Sequence, residues 1–520
     1  MEIERGRKVY FLLAIFMIME LAFLFIRAGV IYGVSSRAEK LRAYGTAKLE
    51  DLRIIPGDIY DRNGRIVVES GEKKYTTIDE KGKEVEHIER YTKYNDARAY
   101  SQLVGYTGVR VLNLMAESAQ DVVGERDDYR LMRHLDDEMW AQNGIYGTVN
   151  SEGKKGTSAV LTVDSNLQNA VYGALCSELD ETKEKGAAVV LDVRTGEILA
   201  MVAFPTYDFN DRASAINQMA ADAENKNLEP TYPVSYKNAE VPGSIFKVLM
   251  SVALIDHGME DFEVPNETYT VNEWTCNARN FHYGDINVEQ GEPIDLTTAL
   301  VSSSNVYFTK AALSLGPEAL NETAEKFMLS EKTEAGQSFM LDCGSVPYSW
   351  NLNVDRDVLA QTGMGQGCTE ITTLHAAMIA QAIANDGKML KPYVIKQLVN
   401  ANDKIVYEGT TEVLSEATSK ETADKVAEAM RVTAQINSKI HGFEDVKEVF
   451  EEYQVAGKTG TGEVETEEED ETVNNAWYIS FAPADDPQYA VAVSFCRTDR
   501  HGYEAMPVTA DIYRYLFEEY

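Results

Sequence analysis

Three short runs in this chain carry residue types and spacings suited to chemistry at a carbonyl carbon. In Ser244-Ile245-Phe246-Lys247 a hydroxyl and an amine lie three residues apart, one helical turn, which puts both on one face. Pro242-Gly243 precede the serine, and an almost wholly apolar run follows to about Asp256 before Gly258. A helix apolar on nearly all sides is a buried one, and glycine at its end supplies a left-handed cap. Ser244 is therefore expected at a helix N-terminus, where free amides and the dipole favour developing negative charge. Lys247, desolvated in such a helix, should have a lowered pKa and be able to take the serine proton. A serine cap with a lysine reaching the surface is the other reading of the same tetrapeptide.

The second run is Ser303-Ser304-Asn305, a hydroxyl and an amide at spacing two. A hydroxyl beside Lys247 can pass protons, and an amide can hold both a carbonyl and the lysine. Alone, the run also describes a loop or a helix cap. The third is Lys458-Thr459-Gly460-Thr461, inside a run that reads as a strand of small residues. Glycine there lets a peptide lie along the strand edge, while Lys458 and the Thr459 and Thr461 hydroxyls suit a terminal carboxylate. A Gly-rich turn is the alternative. Gly457-Lys458-Thr459 mimics the tail of a phosphate-binding loop, but the leading glycine is replaced by Glu452, which argues against a phosphate cradle.

Elements able to position these runs are legible around them. Ala159 to Val163 reads as a short strand, and Asp164 or Ser165 can cap a helix starting near Asn166. Gly186 to Ala203 reads as two apolar strands joined at Arg194-Thr195-Gly196. A last strand pair, Ala476 to Phe481 and Gln488 to Phe495, precedes a helix near Asp511. Further upstream, Asn63-Gly64 between Ile59-Tyr60 and Ile66-Val67-Val68 is a two-residue hairpin signal with positive φ available at both turn positions.

At 520 residues the chain can bury two cores. With 49 basic against 84 acidic residues its net charge is −35, a field that repels a phosphate backbone and argues against nucleic acid. Cys176, Cys276, Cys343, Cys368 and Cys496 are widely spaced with no C-x-x-C pair, which disfavours zinc and thioredoxin-like chemistry. Val9 to Ile26 is an apolar run with one charge, Glu20, long enough to span most of a hydrocarbon core of about 30 Å. It is longer than a signal-peptide core and no clear A-x-A follows, so an uncleaved anchor is expected. The expected division is a cytoplasmic tail over 1–8, an anchor over 9–29, a stalk and small N-terminal domain over 30–155, and a catalytic domain over 156–520. Flanking charges do not orient the span, but eight residues before it cannot fold, which places everything functional on the far side.

Taken together and in order, the three runs resemble the S-x-x-K, S-x-N and K-T-G set of penicillin-binding proteins. The chain is similar over nearly its whole length to the class B, monofunctional members, the peptidoglycan D,D-transpeptidases. Ile59 to Gly64 resembles the start of their N-terminal pedestal, and Leu161 to Asp164 with Leu167-Gln168 the start of their transpeptidase domain. Ala187 to Ala203, Met364-Gly365-Gln366-Gly367, and Ala476-Trp477-Tyr478 with Phe481-Ala482-Pro483 are further landmarks. The resemblance implies a mixed α/β fold: a serine β-lactamase-like domain with an antiparallel sheet and helices, preceded by a transmembrane helix and an α+β pedestal. It implies Ser244 as nucleophile, Lys247 as base and Ser303 as proton relay. Asn305 would hold the stem-peptide amide, and Lys458, Thr459, Gly460 and Thr461 the D-Ala carboxylate end. Backbone amides of Ser244 and Thr461 would form an oxyanion hole. No metal or organic cofactor is implied. Implied partners are D-Ala-D-Ala stem peptides, β-lactams, the cytoplasmic membrane and a polytopic lipid II polymerase, with catalysis outside the membrane.

A class A β-lactamase would share the three runs but needs a deacylating glutamate, and Pro317 stands where it would fall before Leu320-Asn321. A D,D-carboxypeptidase differs only in passing the acyl group to water, and a non-catalytic penicillin-binding scaffold would be expected to lose Ser244 or Lys247. An α/β-hydrolase is disfavoured because its G-x-S-x-G elbow would need glycine at Pro242. After Gly462 comes an acidic run, Glu463 to Glu471, expected at a hairpin tip beside the cleft; such a run is most often simply solvated, and the functional alternative is that it biases which cationic acceptor amine approaches.

Overall fold

The computed structural model describes residues 57–79, 81–104, 158–208, 210–211, 232–283, 286–330, 338–341, 344–352, 355–400, 403–465 and 472–520. The apolar run at 9–29, most of the expected stalk and pedestal, and residues 466–471 of the acidic run lie outside the described residues. Among the described residues no helix is long and apolar enough to cross a membrane.

Among the described residues, eleven strands form the two larger sheets: β1 (Ile59–Tyr60), β2 (Ile66–Ile78), β3 (Glu84–Tyr94), β4 (Ser158–Leu161), β5 (Lys185–Asp192), β6 (Ile198–Phe204), β7 (Ile395–Val399), β8 (Ile405–Glu408), β9 (Ala456–Glu465), β10 (Thr472–Ala482) and β11 (Tyr489–Thr498). The main sheet is antiparallel throughout, in the order β9-β10-β11-β5-β6. Alternate residues of a strand point to opposite faces, and here each face meets its own core. Val189, Leu191, Trp477, Ile479, Ala490 and Ala492 enter one apolar cluster. Their neighbours Ala188, Val190, Tyr478, Val491 and Val493 enter the other. Burial on both faces explains why β5 and β6 read as continuous apolar runs.

Helices supply the two outer layers. On the first face lie α3 (Lys247–Asp256), α4 (Asn305–Lys326) and α5 (Thr373–Ala384), through residues such as Leu249, Phe308 and Ala376. On the second lie α2 (Ser165–Glu178), α6 (Glu444–Glu452) and α7 (Met506–Glu518), through Leu167, Val171, Phe450, Val508 and Ile512. The antiparallel sheet with helices expected from the sequence is therefore present. So is the cap before α2: the Asp164 carboxylate accepts from the amides of Asn166 and Leu167.

A second sheet has the order β8-β7-β4-β1-β2-β3. It joins strands from before residue 105 to strands from after residue 394, with β1 parallel to β4 and β7 antiparallel to it. Helix α1 (Ala97–Val104) adds Tyr100, Leu103 and Val104 to the first core. The turn at Asn63-Gly64 differs from expectation. Only Gly64 has a positive φ, 81°, because the Asp61 carboxylate folds the loop as an Asx turn, accepting from Asn63 N at 2.9 Å and Arg65 N at 2.8 Å.

Candidate active site

Ser244 is not the first residue of the apolar helix, as the sequence suggested. It lies on a separate 3-10 turn, Gly243–Phe246, and α3 begins at Lys247. The turn is pressed into a seam of glycines that leaves no room for side chains. Gly243 has φ +55°, and a Cβ there would overlap the Thr461 carbonyl of β9. A Cβ at Gly365 would overlap Gly243 O, and one at Gly462 would overlap Val241 O. At Gly460 it would meet Pro242 O at 2.7 Å. Gly243 N donates to Gly365 O at 2.9 Å, and the Trp477 indole donates to Val241 O at 2.9 Å. The backbone around Ser244 is thus held from three sides.

Ser303 is positioned by the end of the short helix Leu296–Val301. Ser304 N bonds Ala299 O at 2.9 Å and Ser303 N bonds Leu300 O at 3.3 Å, the two-bond pattern of a Schellman motif. Its left-handed residue is Ser303, at φ 51°, where glycine is usual. The next serine begins α4, its hydroxyl accepting from Tyr307 N at 3.2 Å. Asn305 is consequently the first residue of α4. Helix end and helix start together turn Ser303 and Asn305 toward α3.

Four side chains of the three runs meet there. Lys247 Nζ lies 2.7 Å from Ser303 O, 2.6 Å from Asn305 Oδ1 and 3.2 Å from Ser303 Oγ. Lys458 Nζ lies 3.1 Å from the same Ser303 Oγ and donates to Thr459 O at 2.9 Å. Both lysines are fully buried. Desolvation, and then the facing charge of Lys458, hold Lys247 well below the ordinary lysine value. Burial alone lowers Lys458 to about 7. Two ammonium groups sharing one hydroxyl repel each other, which favours loss of a proton from the pair. A neutral amine has two hydrogens and one lone pair. With the hydrogens on Ser303 O and Asn305 Oδ1, the lone pair is left for a hydroxyl proton.

Ser244, Thr459 and Thr461 are half-buried around this cluster. Among the described residues Ser244 Oγ makes no hydrogen bond, to Lys247 or to any other group; such bonds commonly tighten only when substrate binds. Thr461 Oγ1 accepts from Gly502 N at 3.1 Å. Residues at the acidic end of β9 are exposed at Glu463 and Glu465.

Several neighbours of the site carry no motif. Glu240 pairs both ways with the Ile371 backbone at 3.0 Å. Its buried carboxylate accepts from Asn238 Nδ2 at 3.1 Å and Asn475 Nδ2 at 3.2 Å, beside Arg497 at 3.4 Å. This braces the chain leading to Ser244. The partners are over 100 residues away in sequence, apart from Asn238, so no local signal announces them; only the oddity of a glutamate before Val241-Pro242 hints at it.

Comparison with known proteins agrees with this geometry. The penicillin binding protein transpeptidase domain profile matches residues 186–518. Peptidoglycan D,D-transpeptidase PbpA of Mycolicibacterium smegmatis is 28% identical over 417 residues, 77% of this chain and 78% of that protein. Penicillin-binding protein 3 of Bacillus subtilis is 27% identical over 332 residues, 63% of this chain and 46% of that protein. The ceftriaxone acyl-enzyme of penicillin-binding protein A from M. tuberculosis superposes with a TM-score of 0.67 at 24% identity, covering 90% of this chain and 100% of that one. The D,D-transpeptidase domain of a peptidoglycan glycosyltransferase from Eggerthella lenta gives 0.66 at 22% identity, covering 90% and 99%. With a buried lysine pair converging on one serine beside a second, and a family profile spanning most of the chain, this protein belongs to the penicillin-binding protein transpeptidase family.

Proposed function

We propose that the chain is a peptidoglycan D,D-transpeptidase that forms an acyl-enzyme on Ser244 and is a target of β-lactams. The observation that carries this reading is the shared hydroxyl of Ser303, within hydrogen-bond reach of two buried lysines. Neutral Lys247 takes the Ser244 proton as the oxygen attacks the D-Ala-D-Ala carbonyl. Ser303, between the lysines, passes a proton to the departing D-Ala amine. Lys458 with Thr459 and Thr461 holds the terminal carboxylate, and Asn305 the stem-peptide amide. The backbone N–H groups of Ser244 and Thr461 stabilise the oxyanion, each worth about 2.7–4 kcal/mol in such sites. An incoming amine then takes the acyl group, giving back its proton along the same path.

The reading extends to the division of the chain. Residues 9–29 serve as a single-pass anchor, 30–155 as stalk and pedestal, and 156–520 as the catalytic domain on the extracytoplasmic side. A polytopic lipid II polymerase is the expected membrane partner. The test is labelling of the full chain with a fluorescent penicillin. Wild type should label covalently and Ser244→Ala should not; equal labelling of the two would remove the nucleophile assignment.

A further inference from the structure

Strand β9 is the edge of its sheet and is bonded on one side only, to β10. In an antiparallel ladder alternate residues send both N–H and C=O to the same side. The Gln366 carboxamide shows which residues of β9 face outward. Its two terminal atoms lie 3.2 Å from Glu463 O and 2.8 Å from Glu463 N, and complementarity assigns the nitrogen to the carbonyl and the oxygen to the amide, since the reverse would set acceptor against acceptor and donor against donor. Thr461 and Thr459, two and four residues back, share that edge. The contacts agree: Thr459 O accepts from Lys458 Nζ, and Thr461 O faces the Gly243 Cα. The open edge of β9 therefore runs past the serine and ends under Gln366.

A carboxamide that bonds both polar groups of one residue does what the next strand's residue would do. A peptide laid along β9 finds both polar groups of Thr461 and the Thr459 amide open, the Thr459 carbonyl held by Lys458, and Glu463 already paired. Displacing Gln366 exchanges two hydrogen bonds for two and gains nothing. The glutamine is also rooted beside the nucleophile: Gln366 N bonds Gln361 O at 3.1 Å, and the preceding Gly365 receives Gly243 N. Its position along β9 is thus referenced to Ser244.

We propose that Gln366 is a specificity-determining stop on the substrate edge. It confines main-chain pairing of the acyl donor to Thr459 and Thr461, so donors are selected by their terminal residues and the rest of the stem leaves the sheet. This rests on the acyl-transfer reading above. The probe is a pair of N-acyl-peptidyl thioesters, one ending at the residue opposite Thr461 and one longer by the two residues needed to reach Glu463. In wild type the long-to-short ratio of acylation kcat/KM should be near one. In Gln366→Ala it should rise about threefold to tenfold, the yield of one or two main-chain hydrogen bonds. An unchanged ratio overturns the proposal. Amide exchange at Glu463 tests the clamp directly: it should be protected in wild type and quicken in Gln366→Asn, whose carboxamide is one methylene short. Equal exchange in both also overturns it, whether or not the alanine variant folds. If neither thioester reacts, and Ser244→Ala behaves like wild type, the acyl-transfer reading fails while Glu463 exchange still decides the clamp.

Discussion

Burial lowers the affinity of both Lys247 and Lys458 for a proton, and their mutual repulsion across the Ser303 hydroxyl favours a pair that carries a single charge. With neutral Lys247 as base and charged Lys458 as carboxylate holder, the free enzyme's acylation rate should fall on the alkaline side as Lys458 loses its proton near pH 7. The alkaline fall should be present for a donor bearing the terminal carboxylate and absent for its amide, which needs no cation; identical limbs would contradict the carboxylate role. Lys247→Ala should lower the acylation rate by about 10²–10⁴, measured by stopped-flow with a chromogenic β-lactam. Stability carries the same signature. Lys458 has a folded value of about 7 against an ordinary 10.5. Between those values the unfolded chain binds a proton that the folded one resists, so the burial penalty grows as pH falls through that window and is complete below about 7. Lys458→Met should therefore raise Tm most at pH 6, with the gain shrinking toward pH 10. The residue types and spacings made these roles readable from sequence. The Schellman turn at Ser303 was not readable, since a serine in a glycine conformation leaves no trace in composition.

Among the elements, the 3-10 turn of Ser244 depends on close backbone contact more than on its own side chains. Gly243→Ala meets two penalties, a positive φ and overlap with the Thr461 carbonyl, whereas Gly442, at φ +74°, has open space around it. Gly442→Ala should cost about 1–2 kcal/mol of stability. Gly243→Ala should cost more, about 2–5 kcal/mol when strain and overpacking combine, and should also cut acylation; denaturant unfolding with penicillin labelling separates the two. The main strands and the Asp164 cap were legible because each is announced locally, by an apolar run or by a capping side chain. The early start of the serine turn was not, because Ser244-Ile245-Phe246 is compatible with helix and only tertiary contact tightens it. The Gln366 and Glu240 contacts were illegible for a similar reason: their partners come from distant strands.

For the molecule as a whole, the second sheet ties the described part of the leading segment to strands from the rest of the chain. Strand β1 pairs with β4, and Arg62 reaches both Glu197 at 3.0 Å and Tyr520 Oη at 2.8 Å. The described N-terminal segment is thereby bound to the sheet that carries β7 and to the last residue of the chain. Leu103 on α1 lies in the same core as α3. Leu103→Ala should cost about 2–5 kcal/mol and shift the unfolding of the catalytic core with it in calorimetry. A separate low-temperature transition, leaving the main one unmoved, would show that the segment merely leans on the core. The order of strands along the sequence gave no hint of this, since β4 pairs on one side with β1 and on the other with β7, more than 330 residues apart.

The glycine seam also limits how this protein can escape an inhibitor by heritable change. Every glycine can mutate in one nucleotide step, yet at 243, 365, 460 and 462 any such step drives an atom into the backbone beside the nucleophile. Those routes disable the natural reaction along with the unwanted one. Variants that discriminate between a drug and a peptide must arise where side chains already line the cleft, at Thr459, Thr461 or Gln366, or in the bracing carboxylate of Glu240. Selection under antibiotic should therefore leave the seam untouched and accumulate changes around its rim.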